Sequence, residues 1–225
     1  MSRSAARGAG LLLGPLPGPL PGPLLGPLLG PLFALMLGAT ANVGAAPVEV
    51  RVSGPGGGAV AGAVVFLEPR DGPAPAVPAL KAEIAQVGRK FVPEVTIVPV
   101  GTAVEMPNRD TVRHHVYSFS PAKRFELKLY VGTPASPVVF DQTGIAVLGC
   151  NIHDSMTAWV VIVDTPWYGQ TGPDGRLLLA AVPPGRYRLR AWHPSMEVGA
   201  TPIEQPLQVG AGALTANVAL TGLRP

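Results

Sequence analysis

Cys150, His153 and Met156 stand three residues apart in the segment CNIHDSM, and a histidine pair, His114 and His115, lies upstream. A thiolate, two imidazoles and a thioether form a soft donor set that suits one copper ion. In such a site the thiolate and imidazoles lie near a trigonal plane and the thioether is a weaker axial partner. Spacings of three place successive side chains around a turn, so Cys150, His153 and Met156 can wrap a single ion from one loop. The second imidazole must come from another strand, and His114 or His115 supplies it. Successive strand side chains point to opposite faces, so only one of the two can turn to the metal. Zinc is the closest chemical rival. It accepts Cys/His/His but gains little from a thioether and favours four strong tetrahedral ligands. Cys150 with His153 also mimics a thiol and its base, but the axial methionine and the strand-loop-strand setting suit a metal better. No catalytic residue is assigned, and the chain reads as a carrier and not an enzyme.

Cys150 is the only cysteine, so no intramolecular disulfide framework can form and the thiol is free for a metal. His193, in AWHP, is read as structural, and Asp154 as a solvated loop residue or a modifier of the His153 imidazole. The formal charge of +3 includes Arg3 and Arg7 in a segment expected to be removed, leaving the mature chain near +1. No stripe of Lys and Arg with interleaved aromatics appears, which excludes a nucleic-acid surface.

The elements that position these ligands are strands. Twenty-eight glycines and 27 prolines are too many for a helical bundle, and short alternating runs bounded by Gly, Pro, Asn and Asp recur throughout. The class is all-β, of the sandwich type. Val48 to Val52 alternates, Gly54 to Gly58 turns, and Ala61 to Leu67 alternates again. Far downstream, Asp174-Gly175 and Pro184-Gly185 make turns, and Tyr187, Leu189 and Ala191 face one side of a strand. Between these lie the strands around Val95 and Ile97 and around Val104 and Met106, a strand ending at Cys150, and the strand Thr157 to Val163.

The order Phe91, Pro93, Gly101, Val104, Asn108 and Asp110, then His-x-Val, then Gly144 six residues before Cys150, resembles the cupredoxin family over roughly residues 84–164. The short CxxHxxM loop is like that of amicyanin. The resemblance implies a Greek-key β-sandwich with one copper ion cycling between Cu(I) and Cu(II). It also implies His114 as upstream ligand with Cys150, His153 and Met156, and puts His115 where familiar members have Asn, a position that braces the ligand loops. The segments NRDTVRHHVYSFSPAKRFELKLY and CNIHDSM are similar to a periplasmic group labelled methylamine utilisation or plastocyanin-like proteins. The early strand GAVVFLEP with the late TGPDGRLLL and PPGRYRLR resembles carboxypeptidase-regulatory-like or transthyretin-like sandwiches. Such strands normally follow one another closely. Residues 72–164 are therefore expected to be a cupredoxin domain inserted into a host sandwich made of residues 42–71 and 165–225.

Arg3 and Arg7 precede an apolar, acid-free stretch ending in Ala39-Thr40-Ala41, the layout of a secretory signal peptide over residues 1–41, with cleavage after Ala46 as the alternative. Prolines from Pro15 to Pro31 break any spanning helix, so a permanent membrane anchor is not expected. The expected product is a periplasmic single-electron carrier with redox-protein partners. The alternatives are a copper-delivery module, or an adhesion or carbohydrate-binding sandwich with a structural copper site.

Overall fold

The computed structural model describes residues 44–224, and its regular structure is strand throughout, apart from one 3-10 turn at Pro55–Gly57. In chain order the strands are β1 (Ala46–Ser53), β2 (Val64–Pro69), β3 (Lys81–Glu83), β4 (Ala85–Gln86), β5 (Phe91–Val92), β6 (Val95–Pro99), β7 (Thr102–Glu105), β8 (His114–Ser120) and β9 (Lys123–Tyr130). There follow β10 (Val138–Phe140), β11 (Gly144–Cys150), β12 (Thr157–Val163), β13 (Tyr168–Gln170), β14 (Arg176–Val182), β15 (Gly185–Trp192), β16 (Ile203–Val209) and β17 (Leu214–Ala219). The all-β class read from the sequence is the class observed. The expected signal segment, residues 1–41, lies outside the described residues. Among those described, no helix is long and apolar enough to cross a membrane.

Two sheets are built from the ends of the chain. One has the order β14-β1-β17, with β1 antiparallel to β14 and parallel to β17; the other runs β13-β2-β15-β16. Strand alternation does the sorting. Val48, Val50 and Val52 of β1 and Tyr187, Leu189 and Ala191 of β15 are buried in one apolar core, as the period of two requires. Thr171 ties distant parts together: its hydroxyl donates to the Val60 carbonyl at 2.7 Å and accepts from Ala63 N–H at 2.9 Å.

The middle of the chain forms a five-stranded sheet, β6-β12-β11-β8-β9, and a three-stranded sheet, β10-β7-β3, with the short pair β4-β5 beside them. Ile84, Val104, Met106 and Phe140 join Ala146, Leu148, Val160 and Ile162 in a second core. On β12, Ala158, Val160 and Ile162 enter this core, whereas Trp159, Val161 and Val163 belong to the first. The Trp159 ring lies 6.1 Å from that of Trp192 on β15. A strand covered on both faces needs a near-continuous apolar run, and TAWVVIV is one. The five-stranded sheet is thus shared between two cores, which the division into two separate sandwiches did not anticipate.

Candidate metal centre

Three neighbouring strands bring the donors together. Cys150 closes β11, His114 opens β8, and the two strands pair antiparallel with Cys150 opposite Val116. Beyond Cys150 the loop folds back through a turn in which Met156 N–H donates to the His153 carbonyl at 3.0 Å, after which β12 begins. Asn151 N–H donates to the His115 carbonyl at 3.0 Å, fastening this loop to β8. His114 and Val116 are buried while His115 and Tyr117 are only half-buried, so alternation divides the histidine pair between the two faces.

The imidazole Nδ1 atoms of His114 and His153 are 3.2 Å apart, and Cys150 Sγ is 3.7 Å from each. The point equidistant from these three atoms lies about 2 Å from each, the length of a bond from a transition metal to nitrogen or thiolate. Among the described residues this is the one cluster of His, Cys, Asp and Glu side chains able to hold a metal ion. Met156 is buried in the same core as Cys150. His115 turns away from the cluster and its Nε2 meets Glu126 Oε1 on β9 at 2.8 Å. Its ring therefore does not brace the ligand loops; its backbone carbonyl does. Asp154 is exposed. His193 sits apart, bonded through Nε2 to the Ala61 carbonyl and through Nδ1 to Ser195 N–H, and burial holds its pKa below the ordinary histidine value.

Two residues quoted only as parts of a pattern have definite work here. Asp110 Oδ2 lies 2.8 Å from His114 Nε2. The carboxylate makes Nε2 the protonated nitrogen and leaves the Nδ1 lone pair turned toward Cys150 and His153. Burial tends to raise the Asp110 pKa, but N–H groups of Arg89 and Gly88, together with His114, outweigh it and hold the carboxyl below its ordinary value. Asn108 fixes the corner before β8: its amide donates to the carbonyls of Val112 at 2.8 Å and Tyr130 at 2.7 Å, and its side-chain oxygen accepts from Asp110 N–H at 2.9 Å. The sequence signal for both was an Asn-x-Asp corner just ahead of the histidines, with Asp110 four residues before His114.

Tyr130, opposite His114 in the β8–β9 ladder, donates its hydroxyl to the Met106 carbonyl at 2.7 Å and accepts from the Gln86 amide at 2.6 Å. Burial pushes its pKa up to about 12, against the Gln86 hydrogen bond and with help from the nearby Cys150 sulfur.

No family model and no curated protein matches the chain. Part of it is similar to solved structures. One is a purple cupredoxin from Nitrosopumilus maritimus, at 23% identity over 36% of this chain and 99% of that one, with a TM-score of 0.32. A second is an amicyanin from Paracoccus versutus, at 16% identity over 44% of this chain and 98% of that one, with a TM-score of 0.32. Both of these are cupredoxins. A copper-containing nitrite reductase from Thermus scotoductus also matches, at 25% identity over 43% of this chain and a TM-score of 0.35. The chain spans only 25% of that reductase's length.

Proposed function

We propose that the chain is an exported, mononuclear copper protein of the cupredoxin class that carries single electrons and is not an enzyme. The observation that carries this reading is the convergence of Cys150 Sγ and the Nδ1 atoms of His114 and His153 on a common point at metal-bond distance from all three. Met156, buried in the same core as Cys150, would add a thioether, a donor that suits copper better than zinc. Copper bound there would supply a one-electron Cu(I)/Cu(II) couple.

The chain's own residues hold the donors where such an ion needs them. Asp110 orients the His114 ring, Asn108 fixes the corner that leads into it, and the hydrogen bond from Asn151 to His115 fastens the Cys150 loop. A frame set by strand pairing and partly buried hydrogen bonds leaves the donors little room to rearrange when an electron arrives or leaves. His153 is only half-buried beside the exposed Ile152, so its ring is the ligand nearest to a partner protein.

The same reading places the protein in the periplasm among redox-protein partners, on the signal-peptide layout of residues 1–41. Because β1 begins at Ala46, cleavage after Ala41 leaves that strand whole. Residues 72–164 are then a domain inserted into a host of residues 42–71 and 165–225. In support, β1 and β2 share sheets only with β13 to β17 among the described residues. Voltammetry of the copper-loaded chain tests the carrier role. A reversible one-electron wave with one copper per chain is expected, whereas loss of Cu(I) to a chelator on each reduction would favour copper delivery instead.

A further inference from the structure

Where the five-stranded sheet and the β2/β15 layer separate, they leave a half-open cavity of about 780 Å³. The separation follows from how far the upper layer reaches. On the outer face of the five-stranded sheet, Trp159 and Val161 of β12 are buried, Ile145 and Val147 of β11 are half-buried, and Phe119 of β8 is 71% exposed. Phe66 and Trp192 form the opposite wall, and the loop after β15 places Val198, 59% exposed, at the lip. Phe119 and Val198 are two of the three most exposed large apolar side chains among the described residues, and both border this one space.

The charge of the lining narrows the occupant. Glu68 and Arg190 are the only charged residues around the cavity, and they pair at 3.1 Å, with the Arg190 guanidinium 5.5 Å from the centroid of the Phe66 ring. A charged guest would leave water without finding a free counter-charge, a transfer that strongly disfavours it. An uncharged guest meets aromatic faces, aliphatic side chains and the neutral polar groups of Gln142, Thr143 and Thr157. The volume lies in the range that holds drug-sized molecules. We propose that this cavity binds an uncharged, planar aromatic small molecule.

Its place relative to the metal centre is defined by the β11 strand. Gly149 lines the cavity with the Tyr117 ring packed over it, and the next residue, Cys150, points to the other face. A bound molecule therefore lies across a single strand from the thiolate, although its binding does not depend on metal.

Fluorescence titration of the full chain, with and without copper, tests the site with two probes of similar ring structure. These are neutral N-phenyl-1-naphthylamine and anionic 8-anilino-1-naphthalenesulfonate. Saturable one-site binding of the neutral probe is expected, with the anionic one at least about tenfold weaker. Phe119→Asp and Val198→Asp should each weaken the neutral probe by about tenfold or more while leaving the unfolding midpoint unchanged, since both side chains are exposed in the free protein. Equal affinity for both probes, or unaltered binding in both variants, would overturn the proposal. So would a concentration-dependent doubling of mass by light scattering that expels the probe, because a second copy would then be the occupant. Failure of the copper reading would show in the metal spectrum and leave these titrations as they are.

Discussion

Asp110 is held by the N–H groups of Gly88 and Arg89 and holds His114 Nε2 in turn, so the ring beside Cys150 is aimed by a chain of three hydrogen bonds. Asp110→Asn keeps the size and loses the charge. Metal affinity should fall about 10 to 100-fold, as is usual when the partner of a ligating histidine is changed, and competition against a chelator measures it. In the same series His114→Ala should destroy the copper spectrum while His115→Asn keeps it, because the two rings face opposite sides of β8. Tyr130 supplies a pH signature. Its pKa rises from 10.0 to about 12 on folding, chiefly through burial. Between those values the unfolded chain has already released the phenol proton that the folded chain retains, so stability falls as pH rises through the window. Denaturant titrations of the metal-free protein from pH 9 upward should show that fall, and Tyr130→Phe should flatten it.

At the scale of elements, β11 sets the reach of the thiolate. The strand begins at Gly144, whose φ of +135° excludes most side chains and whose added Cβ would stand 2.9 Å from the Ala122 Cβ. Gly144→Ala should cost about 1–3 kcal/mol of stability yet leave the copper spectrum intact, because it stands at the opposite end of β11 from Cys150. Chemical denaturation with parallel visible spectra checks both halves. Much of this element was legible in advance. CNIHDSM holds three donors in one loop, and donor chemistry is specific enough to be read from residue types alone. Choosing between His114 and His115 needed the family resemblance, since alternation says only that the two differ. The role of Asp110 was hidden because an Asp in a polar corner reads as a turn residue until its neighbours from residues 88 and 89 are in place. TAWVVIV was legible only as a strand; that both its faces are buried, and by which layers, depends on the sheets that pack against it.

For the whole molecule, the shared five-stranded sheet makes a specific prediction about the proposed insertion of residues 72–164. Excising residues 72–164 and bridging the ends with a short Gly-Ser linker should leave a host that still unfolds cooperatively, since most of the buried residues of its core come from outside the excised segment, although Trp159, Val161 and Val163 are lost with it. Its midpoint should be lower than that of the full chain, because Phe66 and Trp192 lose the cover of Trp159. Non-cooperative unfolding would contradict the insertion. The apolar contact between the layers also explains why the five-stranded sheet is buried on both sides over β12 and opens toward β8, where the proposed cavity lies. The central claim, that Cys150, His114 and His153 together hold copper, is tested most directly by the visible and electron-spin-resonance spectra of the Cu(II)-loaded chain beside Cys150→Ser. An intense thiolate-to-copper band present in the unaltered chain and absent from the variant is the predicted result. The same band in both proteins, or none in either, would contradict it.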